Sequence, residues 1–318
     1  MKKYIGTVLT ALVVIGLSIT ALFVGDLSLD SVQLETLVIL AFICGGSILY
    51  CFIVGELAHN NSQMDKLWSI LPIAYTWVIA AKGGMDVRLV VYAVIVSLWG
   101  IRLTVNFARK GAYSLKFWTG EEDYRWAVLR KTKILGNRFV WGLFDLFFIC
   151  IYQNLIVLAI CLPALACMSS TVPFGIFDYV ASVSSMLFLI LETVADEQQW
   201  RFHQNKKKFL REGKALDDMP EPYSIGFNTT GLWGYFRHPN YLGEQAIWLC
   251  LYVFAIGAGV CKAAIFNWSI IGPLFLVLLF CGSSAFGEAI SSSKYPLYTK
   301  YQQQVFKYLP IRKFNPDK

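Results

Sequence analysis

Residues 34–55 read LETLVILAFICGGSILYCFIVG, an apolar run whose one charge, Glu35, lies near its start. A helix needs about 20 mostly apolar residues to cross a bilayer, so this stretch reads as a membrane span and decides the fold class. Similar runs lie on both sides of it. Residues 4–24 form a first span, opened by Lys2 and Lys3; no clear small-x-small cleavage site follows, which predicts a retained span rather than a signal peptide. Residues 68–81 form a short third span, broken or re-entrant, between Trp68 and Lys82. Residues 87–108 form a fourth, apolar until Arg102 and Asn106, and 139–163, 173–191, 242–260 and 266–287 complete the set. The expectation is an all-α polytopic membrane protein of about eight transmembrane helices, with seven to ten within reach of the same pattern, carrying a cytoplasmic cap of loops and helix.

Composition agrees. Of 318 residues, 56% are hydrophobic and 15% charged, and the mean hydropathy is +0.53. That is too apolar for a soluble domain or a disordered chain. One integral membrane domain over 1–318 follows. The eight cysteines (Cys44, Cys51, Cys150, Cys161, Cys167, Cys250, Cys261 and Cys281) lie in or beside apolar runs with no CxxC, so they read as packing residues. Three histidines are few for a metal enzyme, and no metal site is expected. The net charge of +7 is explained by basic loops beside spans, without nucleic acid.

The distribution of charge gives an orientation. With the N-terminus inside, 109–138 carries eight basic residues against three acidic, and the tail from 288 six against two. The outer segment 25–33 has Asp26 and Asp30 and no basic residue; Lys82, Arg88 and Lys262 are the outer exceptions. Both termini are therefore expected in the cytoplasm, in the cell membrane if the source is bacterial. Segment 192–241 is balanced at seven charges of each sign and is the expected cap.

Polar residues gather where they are expensive. Glu56, His59, Asn60, Asn61, Ser62, Asp65 and Trp68 follow the second span. Asn60 and Asp65 suit a loop cap before a helix at Trp68; the alternative is a polar floor under a membrane cavity. Glu56 directly follows an apolar helix, where a carboxyl tends toward the protonated form and can donate a proton. Arg102, Asn106 and Arg109 share one helical face by spacing. Arg109 suits snorkelling; Arg102, a turn deeper, needs an anion or a partner such as Asp145 or Asn154. Glu192, Asp196, Gln199 and His203 recur on one face of a helix leaving span six, followed by Arg201 and Lys206–Lys208.

The densest pattern is TGLWGYFRHPNYLGE, 230–244. Gly231 and Gly234 allow close backbone approach. Arg237 offers a fork for phosphate or carboxylate. Pro239 presets the start of a helix whose first turn carries Asn240, Tyr241 and Glu244. The tail KYPLYTKYQQQVFKYLP, 294–310, suits an interfacial aromatic belt, or else a segment that closes over a cofactor.

With these stretches in hand, the chain resembles the DUF1295 / steroid 5-alpha reductase C-terminal domain family of membrane proteins. The matching stretches are NNSQMDKLWSILP (60–72), LWGIRLTVNFARKG (98–111), GEEDYRW (120–126), ADEQQWRF (195–202), GLWGYFRHPNYLGE (231–244) and GEAISSSKYPLYTKYQQQVFKYLP (287–310). The resemblance implies a helical membrane oxidoreductase that uses NADPH to reduce a carbon–carbon double bond in a lipid- or steroid-like substrate. It implies N-terminal spans (1–110) forming part of a substrate cavity and a cofactor site from 139–318. The cofactor residues implied are Arg237, His238, Asn240, Tyr241 and Glu244, with Asp196, Arg201, Arg102, Asn106 and Arg109 beside them. The acid and the tyrosine that polarise a conjugated ketone fall to Glu56 or Asp65 and to Tyr241. The ArgHisProxTyrxGly pattern is shared with the isoprenylcysteine carboxyl methyltransferases, which use S-adenosylmethionine. Methyl transfer, and a non-catalytic lipid-binding or transport role, stay as alternatives. Membrane lipids and a hydrophobic small molecule are the expected partners.

Overall fold

The computed structural model describes residues 2–25, 27–259 and 265–317. Asp26, Cys261 and Lys262 lie outside the described residues. Every regular element among the described residues is a helix. The helices are α1 (Lys2–Val24), α2 (Ser31–Ala58), α3 (Gln63–Leu67), α4 (Leu71–Lys82), α5 (Val87–Ala108), α6 (Tyr124–Arg130), α7 (Arg138–Phe144), α8 (Gln153–Ala159), α9 (Leu162–Cys167), α10 (Ile176–Arg211), α11 (Pro239–Gly257), α12 (Ile271–Lys294) and α13 (Tyr298–Gln304). Among the described residues, five stretches are long and apolar enough to cross a membrane: Ser31–Ala58, Val87–Ala108, Arg138–Cys167, Ile176–Arg211 and Trp268–Lys294. The protein is all-α and polytopic.

The helix boundaries follow local chemistry. Asp30 Oδ1 accepts from Gln33 N at 2.8 Å while Gln33 Oε1 accepts from Asp30 N at 3.1 Å, a reciprocal cap that starts α2. Asp86 Oδ1 starts α5 by accepting from Arg88 N at 2.9 Å, and Asn137 Oδ1 starts α7 by accepting from Phe139 N at 3.0 Å. Pro239 opens α11, as its position in the sequence predicts. The expected span 173–191 is part of α10, whose 36 residues rise about 54 Å. That exceeds the bilayer core of about 30 Å, and Glu192, Asp196, Gln199 and His203 lie on the same helix beyond the expected span. At the expected third segment, short and broken or re-entrant, turns at 68–70 separate α3 from α4, and the 12 residues of α4 rise only about 18 Å. The short helix also begins at Gln63, not Trp68, so Asp65 lies inside a helix and is not a cap.

The chain divides into two compact units, one of Met1–Val14, Ser184–Trp248 and Val277–Lys318, the other of Ile15–Val183 and Leu249–Leu276. Within the second unit, glycines set the closest approaches. A Cβ on Gly100 would lie 2.4 Å from Ser69 O, and one on Gly272 2.1 Å from the backbone of Ala159. Gln33 Nε2 donates to Leu165 O at 2.9 Å and joins α2 to α9.

Between α7 and α8 the chain forms π-helical turns, Asp145–Tyr152. On a uniform α-helix Asp145 and Asn154 would face about 180° apart, since nine steps of about 100° make two and a half turns. Wider i→i+5 turns advance by fewer degrees per residue. Both side chains are accordingly interior, with Asp145 1% and Asn154 0% exposed. Cys150 Sγ donates to Asp145 Oδ1 at 3.8 Å, and Asn154 Nδ2 donates to Cys150 O at 2.7 Å. Asp145 and Asn154 thus meet their own helix and, beyond it, the side chains of Asn61 and Cys51 respectively.

Arg88 and Asp178 form a fully buried pair. Arg88 Nε donates to Asp178 Oδ1 at 2.6 Å and Nη2 to Oδ2 at 2.9 Å. The remaining guanidinium hydrogens reach Ser170 Oγ at 2.8 Å and the carbonyls of Val172 and Pro173 at 3.1 Å each. All the donors of the fork are used, so Arg88 joins the start of α5 to the 170–173 loop and the start of α10. Arg88→Ala leaves a buried carboxylate without its counter-charge, which costs about 3–5 kcal/mol. Thermal unfolding in detergent should show that loss, and the double change Arg88→Met, Asp178→Leu should recover most of it.

Candidate functional site

The site expected from 230–244 is built on one face of α10. Gly231 has φ +57°, a left-handed conformation that favours glycine, and a Cβ there would lie 2.5 Å from Gln198 Oε1. The backbone approach lets Leu232 N donate to Gln198 Oε1 at 2.9 Å. Trp233 Nε1 donates to Ala195 O at 2.9 Å, and Asn240 Nδ2 donates to Asp196 Oδ1 at 3.1 Å. One helical turn back, a Cβ on Gly243 would lie 2.6 Å from Glu192 Cβ, so α11 lies directly against α10. Glu192, Asp196 and Glu244 are all buried. The stretches 195–202 and 231–244 thus bond to each other.

Arg237 and His238 converge on Glu288 near the end of α12. His238 Nε2 lies 2.9 Å from Glu288 Oε1, and Arg237 Nε lies 3.4 Å from the same oxygen. Gln302 Nε2 donates to Glu288 Oε2 at 2.9 Å, and Arg237 Nη1 to Gln302 O at 3.4 Å. Burial pushes the His238 imidazole below its ordinary 6.5, against the opposing pull of Glu288. The ring is neutral at pH 7 and its Nε2–H donates to the carboxylate. Tyr241 stacks on it, ring centroids 5.1 Å apart and planes at 12°.

The tail packs on the same loop. Tyr301 OH lies 2.5 Å from Trp233 O and 3.0 Å from Phe236 O. Phe314 N donates to Gly234 O at 2.9 Å. Phe227, Tyr298, Tyr301, Val305 and Phe314 form a buried cluster. The expected belt is therefore corrected for Tyr298 and Tyr301, at 6% and 1% exposure: they are interior residues whose rings hold the loop. Tyr308 is a residue that spacing did not single out for the site. Its hydroxyl is buried beside the side chains of Gln245 and Ser284 without a bond of good geometry to either; burial pushes the phenol up to about 12, and these two neighbours pull the other way. Asn240 Oδ1 is likewise buried without a donor.

The second unit holds the other polar cluster. Lys66 is 0% exposed and donates to Phe117 O at 2.9 Å and Thr119 O at 2.8 Å. Burial pushes its ammonium pKa down, opposed by Asp65. Trp126 Nε1 donates to Asp65 Oδ2 at 3.0 Å; burial pushes the Asp65 carboxyl up, against the Arg125 charge. Asn60 Nδ2 donates to Gly120 O at 3.0 Å, Gln63 Nε2 to Trp118 O at 2.9 Å and Asp123 N to Ser62 Oγ at 2.9 Å. Ser69 Oγ lies 2.7 Å from Thr104 Oγ1 on α5. Stretches 60–72, 98–111 and 120–126 are thereby one bonded assembly. On α5, Arg109 Nε donates to Asn106 Oδ1 at 2.9 Å, the shared face expected from spacing. Glu56 lies at the end of α2, 3.8 Å from Arg138 Nη2. Arg201 is exposed and donates to Glu197 Oε1 at 2.7 Å. Arg102, Asn106, Arg109, Glu56 and Asp65 belong to the second unit; Asp196, Arg201, Arg237, His238, Asn240, Tyr241 and Glu244 belong to the first.

Residues 51–305 match the family described as protein of unknown function DUF1295. The chain is 34% identical over 284 residues to the uncharacterized protein C594.04c of Schizosaccharomyces pombe, covering 83% of this chain and 78% of that protein. No solved structure matches.

The His238 environment gives a pH dependence. In the unfolded chain the imidazole takes its proton near 6.5, while in the folded chain burial, Arg237 and Lys307 hold the value lower. Its contribution to stability is therefore complete above 6.5 and is lost as pH falls from 6.5 through the folded value. The unfolding temperature should drop over that interval, and His238→Gln should flatten the drop when both are scanned in detergent.

Proposed function

The chain belongs to the DUF1295 family, and on that premise we propose that it is a membrane-embedded oxidoreductase. Its reaction is NADPH-dependent reduction of a carbon–carbon double bond in a hydrophobic, lipid- or steroid-like substrate. The observation that carries this reading is the polar group around α11 in a chain that is only 15% charged. Arg237, His238 and Glu288 are linked there, Asp196 and Asn240 are bonded, and Asn240 Oδ1 and Tyr308 OH remain buried and unsatisfied. Polar groups taken out of water are normally bonded, and groups left without partners inside a membrane protein are a mark of function.

The donor set suits the cofactor. Asn240 Oδ1 is an acceptor for an amide hydrogen of a nicotinamide, and Glu244 adds a carboxylate one turn along α11. The Arg237 Nη2 nitrogen has no partner among the described residues and is available to a phosphate oxygen. Arg102, Asn106, Arg109, Asp196, Arg201, His238 and Tyr241 complete the proposed cofactor residues. NADPH, when bound, supplies the hydride. Tyr241, or the acid of Glu56 or Asp65, directs a hydrogen bond to the substrate oxygen where negative charge develops. The N-terminal spans, 1–110, hold the apolar substrate, and residues 139–318 hold the cofactor. In this reading the chain crosses about eight times, with both termini and a 192–241 cap in the cytoplasm, in the cell membrane if the source is bacterial.

One observation favours a second reading. Arg201 is engaged with Glu197, and Arg237 partly with Glu288, which leaves fewer arginines for a dinucleotide. S-adenosylmethionine needs none, so methyl transfer of the isoprenylcysteine carboxyl methyltransferase type is that reading. Titrating the purified protein in detergent separates the two. NADPH should bind, and Arg237→Ala and Glu244→Gln should each weaken it by about tenfold or more, the loss of one charged hydrogen bond of about 1.5–3 kcal/mol. Equal NADPH affinity in the variants would overturn this placement, and binding of S-adenosylmethionine alone would select the second reading.

A further inference from the structure

A separate cavity of about 250 Å³ opens at the ends of two spans, walled by Glu56, His59, Asn61, Arg130, Leu135 and Arg138. It far exceeds the roughly 10–15 Å³ that one water needs. Glu56 lies in the last turn of α2 and Arg138 in the first turn of α7, so the cavity lies at the ends of two stretches long and apolar enough to cross a membrane, the place where headgroups are expected. Its chemistry is unusual for a place of that depth. Asn61 is 6% exposed, and its amide orientation is fixed because Trp141 Nε1 donates to Asn61 Oδ1 at 3.1 Å. The Asn61 Nδ2 group is therefore the donor; it is buried beside the Asp145 carboxyl, the acceptor nearest in kind, but makes no bond of good geometry with it. Arg130 is held from two sides, its Nη2 donating to Glu122 and its guanidinium 4.8 Å over the Trp141 ring. Arg130 Nε is buried and also lacks an acceptor. Arg138 is 81% exposed, and its one ion-pair partner, Glu56, is 3.8 Å away, beyond hydrogen-bond reach.

Two unsatisfied buried donors and a loosely paired arginine call for acceptor oxygens. A carboxylate in the same wall calls for a cation. Arg130 is matched by Glu122 and Arg138 by Glu56, so the wall suits a neutral ligand carrying both signs, not a bare anion. We propose that this cavity binds a phosphoethanolamine group, the headgroup of a zwitterionic phospholipid. Its phosphate oxygens accept from Asn61 Nδ2, Arg130 Nε and Arg138, and its ammonium meets Glu56. The placement of the wall at headgroup depth favours the lipid over a soluble phosphoethanolamine. Glu56 is also a candidate acid in the reductase reading; lipid retention tests this site by itself, and if it holds, the acid of the reduction falls to Asp65 or Tyr241.

The test is native mass spectrometry of the full chain in detergent, titrated with dioleoylphosphatidylethanolamine and, separately, dioleoylphosphatidylglycerol. One phosphatidylethanolamine per chain should be retained in preference to phosphatidylglycerol. Arg138→Ala, a surface change, and Leu135→Trp, which fills the cavity, should each lower retention by about tenfold while the unfolding temperature stays unchanged for Arg138→Ala. Soluble O-phosphoethanolamine is the competing probe. Displacement by it at equal concentration would make the group itself the ligand and keep the site; failure to displace would make the acyl chains part of recognition and also keep it. Equal retention by wild type and both variants, or equal retention of phosphatidylglycerol, would overturn the proposal.

Discussion

A polar group removed from water needs a partner, and in so apolar a chain the partner has to come from the chain itself. That constraint organises each unit. Lys66, with no exposed surface, places its ammonium on the carbonyls of Phe117 and Thr119. Tyr301 places its hydroxyl between the carbonyls of Trp233 and Phe236. In both cases a side chain from one helix satisfies the backbone of a distant loop, where no regular ladder is available to do so. Stretches that look like separate motifs in the sequence are therefore the two halves of bonded assemblies.

The same constraint separates scaffold from site. Arg88 has every hydrogen of its fork engaged, and the segment around it is closed to further chemistry. Asn240 and Tyr308 in one unit, and Asn61 and Arg130 in the other, each keep a buried atom in reserve. A half-satisfied cluster destabilises the fold more than an apolar one of similar volume, so its persistence needs a benefit elsewhere. Binding is the benefit we propose for them.

Much of the helix content could be read from the chain because apolar runs and proline positions are local signals. Pro239 opens α11, and the polar residues at 192–203 lie on the same continuous helix as the apolar run before them. The division into α3 and α4 was less legible, since an apolar run does not show where its backbone turns. The tail left two readings open, a belt or a segment that closes over a cofactor, because nothing local distinguishes a tyrosine at a headgroup from one, like Tyr301, whose hydroxyl bonds a carbonyl 68 positions away. Glu288 became central only when the fold brought Arg237, His238 and Gln302 to it. The candidate residues of 231–244 were legible as a group; their partners, Gln198, Glu288 and Tyr301, were not.

The π-helical turns between Asp145 and Tyr152 have a consequence for sequence comparison. They act as a phase shift: the inward face before them and the inward face after them are no longer in step with an α-helical repeat. A relative that kept a uniform α-helix would need a shorter interval to aim the same two polar side chains inward. A one-residue gap in the middle of this span would then mark a face that has been preserved, although gaps inside helices are ordinarily taken as errors of alignment.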